Sequence, residues 1–352
     1  MATFDLLKDL PLDVDGYTLE GLGVQVGSGF ERLTTVVHLQ GNGLEGLGED
    51  VVYDGVDQIA FQKAGPVHDL KGHFALGEFC ERIDSLDFFP EPPQRDVSRL
   101  YRRWTFHSAA LDLALRQNDK QLGEELGLRP RPMTFVASLR LGEPPTIAPI
   151  ERRLARYPTL RFKLDPTSSW TPELISQLVA TGAVDSVDFK SFYRGTVVDQ
   201  APDPVLYRRV AEAFADAWLE DPDVVTADTA AALADAHDRI TWDAPIHSIA
   251  DIESLPFPPR MVNIKPSRIG GLKELCNTYD YCTERGIGAY GGGQFELGPG
   301  RGQAQYLASL FHPDTPNDLA PSGYNVEDPP PGLPSSPLPP APSTVGFRWD
   351  ST

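Results

Sequence analysis

The chain has 352 residues, 41% of them hydrophobic and 23% charged, which is enough for about two globular domains or one barrel-sized domain with an appendage. No apolar run approaches the roughly 18 residues of a transmembrane helix, so a soluble protein is expected. The net charge of −19 repels phosphate backbones and anionic lipids. The composition therefore argues against nucleic acid and membranes as partners.

The cysteines and the N-terminus indicate the compartment. Cys80, Cys276 and Cys282 are odd in number and have no CxxC spacing, which disfavours both a disulfide framework and a structural zinc site. The first residues, MATFDLLKDL, lack the basic-then-apolar pattern of a signal peptide. We therefore expect a cytoplasmic protein.

The first part of the chain, residues 1–128, is predicted to be an α+β domain. Alternating apolar and polar residues, with turn residues between the segments, predict antiparallel strands at 17–26, 34–40 and 44–54. The pattern becomes helical from about residue 75, and an apolar stripe predicts a last helix over 108–127.

The second part, residues 129–326, repeats a strand–helix unit. Short apolar runs that end in a polar residue lie at 134–141, 159–165, 183–192, 215–222, 238–245, 261–267 and 286–293. Helical segments such as 171–182 and 204–216 lie between them. Seven units, with room for an eighth before residue 325, predict a parallel (β/α)7–8 TIM-like barrel whose active site lies at the carboxyl ends of its strands.

The tail, residues 327–352, is rich in proline. One interpretation is a ligand for an aromatic peptide-recognition groove. The other, which we favour, is an extended strap that packs back on the N-terminal domain and is anchored by Phe347 and Trp349.

Ionisable residues stand where five consecutive apolar runs stop. In chain order they are Lys163, Asp188, Glu220, Asp243 and Lys265. With 134–141 as the first strand, the two lysines lie on strands two and six and face each other across the barrel mouth. The three acids lie on strands three, four and five and form an arc between the lysines.

This arrangement predicts a metal site and two proton-transfer groups. Three converging carboxylates in a partly desolvated mouth need a cation, and acidic oxygen ligands suit Mg²⁺. A substrate carboxylate bound to the ion would place its α-proton between two amines. Its removal would give an enediolate stabilised by the metal and the nearby cations.

Several motifs resemble the enolase superfamily, and within it the muconate-lactonising subgroup of muconate cycloisomerases, o-succinylbenzoate synthases and dipeptide epimerases. The most specific are WLEDP, NIKPSRIGG and GGGQFELGPGRG, which occur in this order. The resemblance implies an α+β cap over the barrel, a Mg²⁺ site at Asp188, Glu220 and Asp243 with Mn²⁺ as the alternative ion, and Lys163 and Lys265 as the acid/base pair. It also implies a small carboxylate substrate and a homo-oligomer.

The resemblance further implies that two cap segments, 27–33 and 49–54, and the glycine-rich stretch after the seventh strand meet the substrate. The candidate substrate-binding residues are Glu31, Arg32, Tyr53, Arg161, Lys190, Gly292, Gly293 and Glu296. The triple glycine has two interpretations: a phosphate site at a helix N-terminus, or a backbone that passes close to the substrate or turns sharply.

Three positions depart from the subgroup. Arg161 replaces the first lysine of a Lys-x-Lys pair and supplies charge without serving as a base. Lys190 stands two positions after Asp188, where asparagine is common, and strand alternation would aim it at the same side. Ala244 follows Asp243 where a glutamate is common.

Two hypotheses for function follow. The leading one is a Mg²⁺-dependent isomerase or lyase that abstracts the proton α to a carboxylate: a racemase or epimerase of N-acylamino acids or dipeptides, an o-succinylbenzoate synthase-like enzyme or a cycloisomerase. The alternative is a catalytically silent member that binds a carboxylate ligand, with Lys190 perturbing the metal site. A barrel enzyme of phosphorylated sugars is a third, which would depend on the triple glycine and leaves the three acids unexplained.

Overall fold

The computed structural model describes residues 2–26, 29–196 and 198–350. Its N-terminal part contains a three-stranded antiparallel sheet in the order β2–β3–β4 and a separate antiparallel pair, β1 and β5. The strands are β1 (Pro11–Val14), β2 (Gly16–Val26), β3 (Phe30–Gly41), β4 (Leu44–Asp50) and β5 (Gly72–Ala75). The helices are α1 (Gly55–Ala64), α2 (Leu76–Asp84), α3 (Ser98–Gln117) and α4 (Leu122–Glu125).

The long helix of this part differs from the prediction of 108–127. Helix α3 begins ten residues earlier, at Ser98, and ends at Gln117. It stops there because Asp119 adopts a left-handed conformation with φ of 52°, which α-helix cannot continue through. The leucine at 122 that completed the predicted stripe belongs to the short helix α4.

The second part is built from parallel strands that lie inside the seven predicted runs. They are β6 (Ala137–Leu139), β7 (Phe162–Leu164), β8 (Val184–Asp188), β9 (Trp218–Glu220), β10 (Ile240–Thr241), β11 (Met261–Asn263) and β12 (Gly288–Tyr290). The helices are α5 (Ala148–Arg156), α6 (Pro172–Ala180), α7 (Pro204–Ala213), α8 (Ala227–Ala232), α9 (Ile249–Glu253), α10 (Pro266–Ile269), α11 (Leu272–Arg285) and α12 (Pro299–Phe311).

Backbone hydrogen bonds connect these strands into a ring. Strands β6 to β10 form one parallel sheet in sequence order, and β11 pairs with β12. The N–H of Asn263 donates to the carbonyl of Trp242 at 2.9 Å, which joins the two sheets. Residues 317–318 take the eighth position, since Asp318 N–H donates to Gly291 and Val136 N–H donates to Asn317. The predicted TIM-like barrel with an N-terminal α+β cap is confirmed.

The C-terminal segment contacts both parts. Phe347 is fully buried, with its ring centroid 6.5 Å from that of Trp104 in α3 and 6.1 Å from that of Tyr306 in α12. Leu338 and Met133 exchange two backbone hydrogen bonds just before β6. In the described part of the chain, no helix has the length and apolar character needed to cross a membrane.

Candidate functional site

The ends of five strands bring the predicted ionisable residues into one buried cluster. Lys163 lies within β7, Asp188 and Glu220 end β8 and β9, and Asp243 and Lys265 follow β10 and β11 by two residues. None of the five side chains is more than 6% exposed. Because buried charges are costly without a partner, their mutual contacts decide the chemistry of the cluster.

Lys163 is held by three carboxylates. Its ammonium contacts Glu220 and lies 3.0 Å from Asp188 Oδ2 and 3.4 Å from Asp318 Oδ2. Burial alone would lower the pKa of Lys163, but these carboxylates raise it well above its usual value. Lys163 is therefore a fixed cation at the centre of the acid cluster.

Lys265 lies in a different environment. Its ammonium is 2.7 Å from Asp243 Oδ2. The pKa of Lys265 is lowered, chiefly by burial; Asp243 opposes this shift, and repulsion from Arg268 and Lys163 adds to it. Of the two lysines, Lys265 is thus the one better suited to accept a proton.

Asp243 is surrounded by donors of this chain. Arg268 contacts its Oδ1 and its backbone carbonyl, and the hydroxyl of Tyr193 donates to its Oδ2 at 3.0 Å. Burial would raise the pKa of Asp243, but Arg268 and Lys265 hold it well below its usual value. Both oxygens of Asp243 are engaged within the protein.

The carboxylates that converge are Asp188, Glu220 and Asp221. One oxygen of each lies within 4.8 Å of the other two, an arrangement that can hold a metal ion. The structure thus adds Asp221 to the candidate ligands Asp188 and Glu220. Burial, with Asp188 and Asp243 nearby, raises the pKa of Asp221 to about 7.

Sequence reasoning missed Asp221 because neighbouring residues on a strand face opposite sides. Asp221 comes directly after Glu220, the last residue of β9, and its φ of 51° turns the backbone out of the strand. Its carboxylate then accepts the N–H groups of Asp243 and Ala244 at 2.8 and 3.0 Å. The second acid of the WLEDP motif was the available signal.

The donor set fits a hard divalent cation. Three acidic oxygens without histidine or cysteine suit Mg²⁺. The cluster also has two more acidic than basic side chains, and one divalent ion would balance this difference when all of them are ionised. Its basic members are Lys163, Lys190, Lys265 and Arg268, and its acidic members are Asp165, Asp188, Glu220, Asp221, Asp243 and Asp318.

Lys190 contacts Asp188, as strand alternation suggested, but its backbone does not continue the strand. Its φ is 55°, so it has left the strand conformation. Its backbone N–H donates to Asp188 Oδ1 at 3.0 Å and its ammonium contacts Asp188 Oδ2. The ammonium also lies 5.0 Å from the ring centroid of Tyr193.

Several expected substrate contacts are engaged elsewhere. Arg161 is not brought to the cluster: it pairs with Asp185 and with the carbonyl of Gly182, where β8 begins. Arg32 is fully buried and donates to the backbone carbonyls of residues 51, 52, 294 and 295. These bonds connect the cap to the segment after β12. The Arg32 guanidinium is satisfied by backbone carbonyls rather than by a substrate anion.

The remaining cap candidates lie near Arg32 in the sequence or in space. The ring of Tyr53 lies under the Arg32 guanidinium, 4.4 Å from ring centroid to Cζ. Glu31 is exposed on β3, opposite Gln25 of β2. Neither residue contacts the acid cluster through any interaction that the structure describes.

The glycine-rich segment passes directly over Lys265. A Cβ on Gly292 would lie 2.4 Å from Lys265 Cε, and one on Gly293 would lie 2.6 Å from the guanidinium of Arg301. This favours the close-approach interpretation of the triple glycine. Glu296 is also engaged within the segment, since it accepts the N–H of Gln294 at 2.6 Å and pairs with Arg301 at 3.1 Å.

Two further side chains that sequence reasoning did not single out complete the cluster. The hydroxyl of Tyr290, the last residue of β12, donates to Glu220 Oε2 at 2.7 Å. Arg268 lies in the NIKPSRIGG motif, on α10, and contacts Asp243. The contact of Tyr290 had no signal in the sequence, because a tyrosine at the end of a strand usually indicates apolar packing.

Comparisons with known proteins identify the family and the fold of the chain. Residues 5–125 match the family model "Domain of unknown function (DUF8230) N-terminal domain", and residues 129–326 match the corresponding C-terminal domain. Among curated proteins, the o-succinylbenzoate synthase of Bacillus subtilis (strain 168) is 41% identical over 70 residues, which are 20% of this chain and 19% of that protein. An N-succinylamino acid racemase of Amycolatopsis sp is 41% identical over 63 residues, 18% of this chain and 17% of that protein. These matches therefore span less than a fifth of either relative.

Solved structures resemble nearly the whole chain. An enolase superfamily member from Listeria innocua Clip11262 has a TM-score of 0.64 at 16% identity, covering 88% of this chain and 86% of that one. The dipeptide epimerase from Methylococcus capsulatus, complexed with Mg ion, has a TM-score of 0.63 at 18% identity, covering 87% and 89%. The chain therefore belongs to the DUF8230 family, with that family's N-terminal and C-terminal domains in order, and it has the fold of the enolase superfamily.

Proposed function

We propose that this protein is an enzyme that removes the proton α to the carboxylate of a small substrate, as a racemase or epimerase, an o-succinylbenzoate synthase-like enzyme or a cycloisomerase. The observation that supports it most is the pairing of Lys163 and Lys265 in one buried cluster with opposite pKa shifts. Groups whose environments push their pKa values apart are typical of acid/base pairs.

The two lysines have different parts in this proposal. Lys265 accepts the α-proton at Nζ, and Asp243 orients it from 2.7 Å. Lys163 stays protonated and stabilises the negative charge that develops on the substrate oxygens as the enediolate forms. In a racemase it would also return a proton to the opposite face.

Asp188, Glu220 and Asp221 would hold the metal ion, for which we propose Mg²⁺. The ion would supply a Lewis acid for the substrate carboxylate. Asp243 is the alternative to Asp221 as the third ligand, as the sequence resemblance implies. Its two oxygens would first have to release Arg268 and Lys265.

The relatives suggest the substrate class. Two are named for o-succinylbenzoate synthesis and N-succinylamino acid racemisation, and a structural neighbour is a dipeptide epimerase. We propose an N-acylamino acid or a dipeptide as the substrate. A homo-oligomeric state and a cytoplasmic location, both expected from the sequence, complete the proposal.

Proton exchange tests this function. The protein is incubated with N-succinyl amino acids and dipeptides in D₂O with MgCl₂, and α-deuterium is measured by NMR. Lys265→Met should slow exchange by about 10²–10⁴-fold, because a positioned base typically contributes that much. Lys273→Met, which removes an exposed lysine of α11, is the matched control and should leave exchange unchanged.

Absence of exchange with every carboxylate, in a folded protein, would contradict the enzyme proposal. The second candidate function would then stand: a protein that binds a carboxylate without turning it over. The contact of Lys190 with Asp188 favours it, since an ammonium there competes with a metal ion. Calorimetric titration with the same carboxylates distinguishes a silent binder from a protein that does not recognise them.

A further inference from the structure

Lys190 lies between two carboxylates: it contacts Asp188 closely, and it faces Asp165 at a longer distance. Its ammonium contacts Asp188 Oδ2 and lies 4.0 Å from Asp165 Oδ1. Asp165 is only 8% exposed, and its Oδ1 has no hydrogen-bond partner among the described residues. A buried carboxylate oxygen without a hydrogen-bond partner is energetically costly. Asp165 Oδ1 would therefore be stabilised by a donor that came within hydrogen-bond distance.

A metal ion and Lys190 compete for the same carboxylate, that of Asp188. Asp188 Oδ2 already contacts the ammonium groups of both Lys163 and Lys190, while Asp188 Oδ1 accepts the backbone N–H of Lys190. An ion that takes Asp188 Oδ2 therefore has to displace an ammonium. Lys163 keeps Glu220 and Asp318 as partners when it loses Asp188, whereas Lys190 needs a new one.

Asp165 is the available partner. An ammonium released here without an acceptor would be strongly unfavourable, for the same reason that breaking a buried ion pair is. Closing the gap from 4.0 Å to a charge-assisted hydrogen bond of about 2.8 Å needs only a small rotation of a flexible lysine stem. The Tyr193 ring, 5.0 Å from the ammonium, lies beside this path.

We propose that Lys190 is a transferable counter-cation, which neutralises Asp188 when the metal is absent and moves to Asp165 when a divalent ion binds. This inference rests on the metal site of the proposed function and adds to it a residue pair that sets metal affinity. Asp165 then serves as the acceptor of the displaced ammonium, and the exchange keeps the buried charge of the pair constant.

A double-mutant cycle tests the transfer. Mg²⁺ binding is measured by calorimetric titration with MgCl₂ for the wild-type chain, Lys190→Met, Asp165→Asn and the double variant. We expect Lys190→Met to tighten binding at least tenfold and Asp165→Asn to weaken it at least tenfold. The double variant should match Lys190→Met, because Asp165 matters only while Lys190 has to be accommodated.

Asp185→Asn is the matched control. Asp185 lies on β8, as Asp188 does, but it pairs with Arg161 away from the cluster. Its replacement should leave Mg²⁺ affinity unchanged. Circular dichroism checks that each variant is folded, and Lys190→Asn replaces Lys190→Met if the latter does not fold.

The outcomes separate this inference from the proposed function. Equal Mg²⁺ affinity in all four proteins, or an equal loss on Asp165→Asn with and without Lys190, would overturn the transfer and leave the metal site intact. Absence of Mg²⁺ binding in all four folded proteins would overturn the metal site and the transfer together.

Discussion

Two lysines in one buried cluster have opposite pKa shifts because their nearest charges differ. Lys163 contacts three carboxylates, so its charged form is favoured despite burial. Lys265 contacts one carboxylate, which it shares with Arg268, so burial and repulsion favour its neutral form. The number of acids around each amine, rather than the depth of burial, decides the direction in which its pKa shifts.

Gly292 lets the backbone pass over Lys265, and this yields a prediction. In Gly292→Ala the new Cβ would lie 2.4 Å from Lys265 Cε and 2.7 Å from Asn263 Nδ2, so one of them must move. We expect a loss of about 1–3 kcal/mol in the free energy of unfolding, measured by urea denaturation, as for other overpacked cores. Gly16→Ala, where the added Cβ meets nothing within 4 Å, is the control. Equal stability of the two variants would contradict the close approach.

The sequence predicted where the charged residues gather better than how they pair. Strand ends in ring order were enough to place Lys163, Asp188 and Glu220 together, because parallel strands open on one face. Asp221 was missed and Lys190 reached Asp188 by an unexpected route, since both have a positive φ that no pattern of polar and apolar residues encodes. Arg161, a candidate from the family resemblance, pairs with Asp185 instead of joining the cluster.

At the level of elements, two cap strands hold the segment after β12 by its backbone. Arg32 of β3 donates hydrogen bonds to the carbonyls of residues 294 and 295. Glu49 of β4 accepts hydrogen bonds from backbone N–H groups at the start of α12. A cation on the carbonyls and an anion on the N–H groups fix the segment from both sides. The glycines that pass over Lys265 are thereby positioned from the cap.

Glu49→Gln tests this connection. The carboxylate accepts N–H groups of Leu297, Gly298 and Gly300 at 2.6–3.0 Å, and an amide replaces one of these acceptors with a donor. We expect the variant to lose about 1–3 kcal/mol of stability, because buried N–H groups lose their acceptor. Hydrogen-exchange mass spectrometry should show faster deuterium uptake in residues 291–300. Glu20→Gln, in the exposed part of β2, should not change uptake there, and unchanged uptake in Glu49→Gln would contradict the role of the carboxylate.

Elements with a clear period were predictable, and those fixed by tertiary contacts were not. Each barrel strand falls within a predicted apolar run, because a strand buried on both faces needs consecutive apolar residues. The short pair β1 and β5 was missed, since four residues carry too little alternation to be distinguished from a loop. The eighth barrel position, residues 317–318, has two residues and is defined by its hydrogen bonds alone.

At the level of the whole molecule, the charge is uneven between surface and site. The chain has 50 acidic and 31 basic residues, yet the acidic cluster at the barrel mouth is nearly balanced by four cations, three of them buried. Most of the net charge of −19 therefore lies on the exposed surface. Like charges at a surface repel each other and oppose the compact state, whereas the buried pairs are little affected by salt.

This distribution predicts that salt stabilises the folded protein. Raising KCl from 0.1 to 1 M shortens the screening length from about 10 to about 3 Å, which weakens repulsion between surface carboxylates. We expect the melting temperature to rise, by about 2–4 °C for each kcal/mol of repulsion removed. A variant with the exposed residues Glu91, Glu212 and Asp235 replaced by lysine should melt higher than the natural chain at low salt and gain less from KCl. If the natural chain and the variant respond equally to KCl, surface repulsion is not the cause and salt acts elsewhere.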